Sequence, residues 1–182
     1  AALTIIDNDS VVNFSSATYS VTESFTDVTI TVVRAGATNG TAAVDFATSD
    51  GTATAGFAGD YLSAAGTLVF LPGELTNAFT VTVLDDAIAE GDETVNLALL
   101  NPAGGLLVGG QGTAALIILD NDSAVGFSST NYVVSSLATN AYITLVRKGA
   151  GAGAVSVTLF SSNGTAVAGT DYTRYSNVVS WA

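Results

Sequence analysis

The chain contains no cysteine, no histidine and no methionine. Thiol chemistry, imidazole metal sites and histidine acid–base catalysis are therefore excluded before any motif is considered. A metal site built from oxygen ligands alone stays open. Paired carboxylates such as Asp85 and Glu90 could serve glycoside hydrolysis, but the only tryptophan, Trp181, lies at the very end of the chain rather than beside them. We expect that the protein is not an enzyme.

Basic residues are also scarce, with 4 Lys and Arg against 16 Asp and Glu, which gives a net charge of -12. Such a charge repels phosphate backbones and anionic lipid surfaces, so we expect no nucleic acid partner.

Apolar residues make up 48% of the chain and charged residues 11%, a balance typical of a globular protein. The apolar stretch 116–119 is far shorter than the roughly 20 residues that span a bilayer, so this segment is not expected to insert into a membrane.

An internal repeat organises the sequence. The tetrapeptide Asp-Asn-Asp-Ser occurs at 7–10 and again at 120–123, an offset of 113 residues, and the same offset carries Arg34 onto Arg147. We therefore predict that residues 1–10 are the C-terminal strand of a preceding repeat, 11–122 a complete repeat, and 123–182 the N-terminal half of a following one. A longer parent array is expected.

The half-repeat at 123–182 is predicted to need strands from elsewhere, because its core residues would otherwise face water at roughly 1.5 to 3 kcal/mol for each large side chain. Neighbouring repeats of a longer parent are the expected source, and strand exchange between copies is the alternative. The affected side chains are Tyr132, Val134, Ile143, Leu145, Val155, Val157 and Leu159.

Short runs of alternating apolar and polar residues, separated by Gly, Asn, Asp and Ser, predict an all-β fold with little helix. Val28, Ile30 and Val32 face one way in one such run, as Phe79, Val81 and Val83 do in another. We predict a seven-strand antiparallel Greek-key β-sandwich of the immunoglobulin-like kind, in tandem repeats. The predicted strands of the complete repeat are 12–21, 28–34, 42–48, 66–70, 77–84, 93–100 and 112–119.

Consecutive strands of such a sandwich reverse direction, so alternate loops lie at the same end. This places ten acids at one end, whereas the opposite end receives only Glu74. Two carboxylates about 5 Å apart repel by roughly 3 kcal/mol at an effective dielectric constant near 20, so several such pairs predict a bound cation. A hard divalent cation with six to eight oxygen ligands is calcium rather than magnesium. The clustered acids are Glu23, Asp50, Asp60, Asp85, Asp86, Glu90, Asp92, Glu93, Asp120 and Asp122.

Several motifs together resemble the Calx-beta domains of sodium–calcium exchangers and of many large surface proteins. The resemblance rests on Phe14, on Tyr19-Ser20-Val21-Thr22-Glu23, on Val32-Val33-Arg34, on Asp50-Gly51-Thr52-Ala53 with Asp60-Tyr61, on the acids from Asp85 to Glu93, and on Ile117-Ile118-Leu119-Asp120-Asn121-Asp122.

The resemblance implies a calcium cluster with two or more ions in each complete repeat. Asn121 stands where strong calcium binders of the family tend to have a third acid, which predicts fewer ions or lower affinity. The half-repeat has Ser136 and Asn163 in place of Glu23 and Asp50, so we expect it to bind calcium poorly. Matched position by position, the metal site comprises Glu23, Asp60, Asp85, Asp86, Glu90, Glu93, Asp120 and Asp122, a backbone carbonyl near Ile88, and Asn121 as the departure.

These observations favour a calcium-binding structural and adhesive module of a tandem-repeat fibre protein, in which ions stiffen the junctions between repeats. A calcium-sensing regulatory domain and a glycan-binding adhesin module are the alternatives. Enrichment in Ala, Gly, Thr and Ser without cysteine favours an extracellular or cell-surface location, in bacteria. Arg34 and Arg147 are predicted to be solvated guanidinium groups that close a sheet edge.

Overall fold

The structure is a computed structural model that describes residues 1–3, 9–24, 26–149 and 153–182. The predicted strand at 1–10, with Ile5 and Ile6, lies mostly outside the described residues. The described part of the chain contains strands and no helix, and no helix there is long and apolar enough to cross a membrane.

The described residues of 10–119 form a two-sheet sandwich whose fold class agrees with the sequence prediction. One sheet has four strands in the order β6-β3-β1-β8, and the other has five in the order β2-β9-β7-β4-β5. The strands are β1 (Ser10–Phe14), β2 (Thr18–Thr22), β3 (Thr26–Gly36), β4 (Ala42–Asp50), β5 (Ala65–Phe70), β6 (Thr76–Val83), β7 (Glu93–Ala103), β8 (Leu106–Val108) and β9 (Thr113–Leu119).

The core lies between the two sheets because each strand alternates inward apolar and outward polar side chains. Ile30 and Val32 of β3 are fully buried, as are Val81 and Val83 of β6, and Thr29 and Thr80 face outward. Phe46 and Phe79 stack across the two sheets with ring centroids 3.9 Å apart. The predicted alternation of these strands is therefore confirmed.

The predicted first strand, 12–21, is instead two strands in different sheets. β1 pairs with β3 antiparallel, whereas β2 pairs with β9 in parallel, with Tyr19 opposite Leu116. The small residues between them let the chain cross from one sheet to the other, and the Ser15 amide donates to the Thr31 carbonyl at this crossing. The sheets are consequently not purely antiparallel, because β1 and β8 also pair in parallel.

The predicted strand 93–100 extends further in the structure, through the turn-forming pair Asn101-Pro102. These two residues lie within β7, beside a bulge between Ala43 and Asp45. The chain turns at Gly104 and Gly105, whose φ angles are 73° and 75°, because glycine adopts this left-handed region without steric cost. The chain also turns at Pro72-Gly73, between β5 and β6, with φ 86° at Gly73.

Arg34 is buried rather than solvated, so that prediction was wrong, although its structural role stands. Its side chain is 4% exposed and donates hydrogen bonds to the Ser10 hydroxyl and to the carbonyls of Ala37 and Gly40. A planar guanidinium with five donors can satisfy several carbonyls at once, which makes burial tolerable.

The second repeat reproduces the local geometry of the first. Arg147 donates to Ser123 at 3.2 Å, as Arg34 does to Ser10. The Tyr172 hydroxyl lies 2.9 Å from Asn163 Oδ1, where Tyr61 donates to Asp50. Its strands are β10 (Ala124–Phe127), β11 (Leu145–Lys148), β12 (Val155–Phe160) and β13 (Ser176–Trp181), which form the pairs β10-β11 and β12-β13.

No described residue after Ser123 is buried. Val134 and Ile143 are 50% and 41% exposed, and a cavity of about 300 Å³ opens between the two strand pairs, lined by Phe127, Leu145 and Val157 among others. The segment equivalent to β2 forms no strand here, because the strand that would pair with it, a counterpart of β9, is absent from the described residues. The division into repeats at 10 and 122 stays a prediction.

We expect residues 9–122 to fold alone and residues 123–182 not to fold alone, since only the first segment encloses a core. The 9–122 fragment should melt cooperatively within a few degrees of the full chain, as followed by circular dichroism. A dispersed amide NMR spectrum from the isolated 123–182 fragment would contradict this.

Candidate metal centre

Four segments of the first repeat bring acidic side chains to one end of the sandwich. They are the exit of β2, the β4–β5 loop, the β6–β7 loop and the exit of β9. Hydrogen bonds tie them together: the Glu23 amide donates to the Leu119 carbonyl, and the Leu84 amide donates to the Asp60 carbonyl, both at 2.9 Å. The strand pairing therefore fixes the acids in space.

The first group of carboxylates consists of Glu23, Asp86 and Asp122, whose ligand oxygens lie within 4.8 Å of one another. Glu23 is 7% exposed, and its Oε1 accepts a hydrogen bond from the Asp86 amide at 3.3 Å. Asp122 Oδ2 is buried and has no hydrogen-bond partner among the described residues. A buried carboxylate oxygen without a donor is costly unless a cation approaches it.

The second group consists of Asp60, Glu90 and Glu93, again with ligand oxygens within 4.8 Å of one another. Asp60 is 9% exposed, and its Oδ2 accepts hydrogen bonds from the Thr54 amide at 2.7 Å and the Thr54 hydroxyl at 3.2 Å. These bonds fix Asp60 on its own loop, while Glu90 and Glu93 come from the β6–β7 loop and the start of β7.

The two groups perturb one another electrostatically. Burial, together with the charges of Asp86, Asp120 and Asp122, raises the pKa of Glu23 to about 6. Burial, a hydrogen bond with Asp60 and the charges of Asp60, Glu90 and Glu23 raise the pKa of Glu93 to about 7. The pKa values of Glu90 and Asp122 are also raised, first by desolvation and then by neighbouring carboxylates. Without a cation, the site therefore resists full ionisation.

No basic side chain of the complete repeat neutralises these acids. The only Lys or Arg within 11–122 is Arg34, and its hydrogen bonds go to Ser10, Ala37 and Gly40. The donor set is made of carboxylate oxygens, which suits calcium, and it contains none of the nitrogen or sulfur ligands that zinc prefers.

Asp120 is near enough to both groups to raise the pKa values of Glu23 and Glu90, and it accepts hydrogen bonds at both of its carboxylate oxygens. Oδ2 accepts from the Gly91 amide at 2.8 Å, and Oδ1 accepts from the Asp122 amide at 2.7 Å. Asp92 braces it in turn, because Asp92 Oδ1 accepts the Asp120 amide at 3.2 Å. The sequence analysis placed Asp92 among the clustered acids but not among the predicted metal ligands. Its hydrogen bond with the Asp120 amide depends on the conformation of the β6–β7 loop, which the sequence pattern does not reveal.

Three other predicted site residues lie outside the two groups. Asp85 is near enough to Asp122 to raise its pKa. Ile88 has a side chain that is 58% exposed, and its amide donates to Asp86 Oδ1 at 2.7 Å; the predicted carbonyl ligand there stays a prediction. The side-chain amide of Asn121 donates to the Glu23 carbonyl.

Asp50 also lies at this end, but its carboxylate has a different role. Its Oδ1 accepts hydrogen bonds from the Tyr61 hydroxyl at 2.7 Å and the Ala55 amide at 3.0 Å. Burial and this contact raise the pKa of Tyr61 to about 12. Asn163 can replace it in the second repeat because an amide oxygen accepts the same two hydrogen bonds, from Ala168 and Tyr172.

Comparison with known sequences identifies the family. The family profile described as the Calx-beta domain matches residues 6–122 and again residues 120–181. The sodium/calcium exchanger Calx of Drosophila melanogaster is 32% identical over 161 residues, which cover 87% of this chain and 17% of the exchanger. The adhesion G-protein coupled receptor V1 of Danio rerio is 32% identical over 121 residues, 66% of this chain and 2% of the receptor.

Solved structures agree with this assignment. The apo-form Calx CBD1 domain matches with a TM-score of 0.60 at 34% identity, covering 63% of this chain and 99% of that domain. The structure of CBD12 from CALX1.2 matches with a TM-score of 0.63 at 29% identity, covering 94% of this chain and 69% of that one. The chain belongs to the Calx-beta domain family, which confirms the resemblance, and it spans a small part of the curated relatives that it matches.

The raised pKa values predict how stability depends on pH without calcium. Below the ordinary glutamate pKa of 4.5, the protonated forms of Glu23 and Glu93 favour the folded state, and this contribution is lost as pH rises through about 6 and 7. In chelator, the melting temperature should therefore be several degrees lower at pH 8 than at pH 5.5.

The neutral variant Glu93→Gln should raise the melting temperature in chelator at pH 8 and flatten the pH dependence. Glu74→Gln, at the opposite end of the sandwich, is the matched control. A melting temperature that rises steadily from pH 5.5 to pH 8 in the wild type would contradict the pKa shifts.

Proposed function

We propose that the first repeat is a calcium-binding module that holds two ions, one at each group of three carboxylates. The observation that carries this proposal is the first group, where Glu23, Asp86 and Asp122 converge within 4.8 Å and Asp122 Oδ2 is buried without a donor. One similar solved structure is described as the calcium binding domain CBD12 of CALX1.1, and this similarity supports the proposal that the first repeat binds calcium.

Calcium rather than magnesium suits this arrangement. Calcium accepts six to eight oxygen ligands at flexible geometry, whereas magnesium demands an octahedron and keeps its waters. The carboxylates come from four separate segments, and Asp86 and Glu90 are exposed, so the site tolerates variable ligand positions. The exposed side also leaves room for water ligands.

The protein holds the carboxylate ligands in place, and the ion would supply the positive charge that compensates them. Glu23 is fixed by the β2–β9 ladder and by the Asp86 amide, while Asp60 is fixed by Thr54. Asp120 orients the chain on either side of it through the amides of Gly91 and Asp122. The β6–β7 loop, which carries Asp86 and Glu90, is the segment that calcium would order most.

The junction between the repeats gives this binding a structural consequence. Only Ser123 separates Asp122 from β10. In addition, a Cβ atom built at Gly149 would lie 2.9 Å from Cβ of Ala89 in the β6–β7 loop and 2.3 Å from the Asp122 carbonyl oxygen. The second repeat therefore touches the calcium loop of the first, and we propose that calcium stiffens the junction of tandem repeats.

Two biological settings follow from this mechanism. One is the structural or adhesive module of a surface fibre, for which the adhesion receptor relative is a precedent. The other is a calcium-responsive regulatory domain, which the exchanger relative favours. The extracellular, bacterial assignment rests on composition alone, and both named relatives are animal proteins. In either setting we propose binding rather than catalysis.

Asp86→Ala tests the site directly. Calorimetric titration should show calcium binding to the wild type, and affinity at least about tenfold weaker in the variant. Saturating calcium at 100 times its dissociation constant should stabilise the wild type by about 2.7 kcal/mol per site. In chelator the variant should melt no lower than the wild type, because removing one carboxylate relieves repulsion.

Glu74→Ala is the control, since Glu74 is held by the Leu71 amide in the turn between β5 and β6. It should leave the calcium affinity within about twofold of the wild type. Equal losses in the two variants would reject the location of the site, and the absence of any calcium heat in the wild type would reject the function.

A further inference from the structure

We propose that Asn121 is a positioning residue that clamps Glu23, rather than a weakened calcium ligand. The inference rests on the proposed calcium function but concerns how this chain builds the site. Asn121 lies in the exit of β9, between Asp120 and Asp122, and was expected from the family resemblance to be a substituted ligand.

The side-chain amide of Asn121 is already engaged. Its Nδ2 donates to the main-chain carbonyl of Glu23, which lies at the exit of β2. The contact joins the two segments just beyond the last pair of the parallel β2–β9 ladder, where Thr22 lies opposite Leu119. It therefore continues the pairing of the two strands by a side-chain hydrogen bond.

This clamp completes the fixation of Glu23. The Glu23 amide donates to Leu119, its carbonyl accepts from Asn121, and its Oε1 accepts from the Asp86 amide. Glu23 is thereby held at its amide, its carbonyl and its carboxylate. Glu23 follows Thr22, the last residue of β2, so the clamp acts where the chain leaves the β2–β9 ladder.

An aspartate at 121 cannot form this hydrogen bond, because an ionised carboxylate has no donor for the Glu23 carbonyl. Its charge would be repelled by that carbonyl and by Asp120 and Asp122 on either side. The same Asp-Asn-Asp-Ser tetrapeptide stands at 7–10, so the sequence has an asparagine between the two aspartates in both copies. The chain thus has a neutral donor where an extra acid would add charge.

The proposal separates from the ligand hypothesis in the calcium-free protein. Asn121→Ala leaves the Glu23 carbonyl without its donor, so the melting temperature in chelator should fall by about 5 °C. Asn121→Asp should lower it at least as far. Asn121→Ala is the deciding variant, because the added charge of Asn121→Asp lowers the melting temperature under either hypothesis. If Asn121 were only a ligand, Asn121→Ala would leave the melting temperature in chelator unchanged. Asn39→Ala, an exposed asparagine in the β3–β4 loop, is the matched control and should have no effect.

Calorimetric calcium titration supplies the second readout. Asn121→Ala should weaken calcium binding about three- to tenfold, and this loss should shrink or vanish when Glu23→Gln is already present, because both changes act through one residue. Unchanged melting in chelator combined with weaker calcium binding would identify Asn121 as a ligand and overturn the clamp. Fully additive losses in the double variant would also overturn it. If the wild type bound no calcium, the proposed function would fail, and the melting measurement in chelator would still decide the clamp.

Discussion

The concentration of uncompensated carboxylates at one end of a small sandwich is the constraint on which the rest of the structure depends. Asp60, Asp120 and Glu23 are each less than a tenth exposed, yet the complete repeat has a single basic residue, Arg34, whose hydrogen bonds all go to neutral groups. Backbone amides compensate part of the charge, as Gly91 and Asp122 do for Asp120. Desolvation and repulsion between the carboxylates raise the pKa of Glu23 to about 6 and that of Glu93 to about 7. A bound cation is the simplest remaining way to compensate the negative charge of these carboxylates.

The sandwich provides the rigidity that makes this concentration possible. β2 and β9 are parallel neighbours, so Glu23 and Asp120 follow them side by side at the same end of the sheet. β7 and β9 pair with Glu93 opposite Ile118, which brings the second group of carboxylates beside the first. Only Ser123 separates Asp122 from β10, so the acidic end and the junction of the repeats are one region of the molecule.

Much of this was predictable from the sequence, because it depends on local alternation and on strand order. The inward residues of β3 and β6, and the gathering of acids from alternate loops, follow from patterns of a few residues. The crossing of the chain from β1 to β2 was not predictable, because it depends on which distant strands, β3 and β9, offer an edge. The burial of Arg34 and the direction of the Asn121 amide depend on single carbonyls of the folded backbone, at Ala37, Gly40 and Glu23. Sequence pattern carries no signal for such contacts.

Crystallographic location of calcium tests the central claim most directly. Crystals of the full chain grown in saturating calcium should show one ion at each group of three carboxylates, with calcium–oxygen distances of about 2.3–2.6 Å. The first ion should contact Asp122 Oδ2, the buried oxygen that has no donor in the described structure. Well-ordered carboxylates at both groups with no ion between them, under conditions that saturate other calcium proteins, would contradict the account.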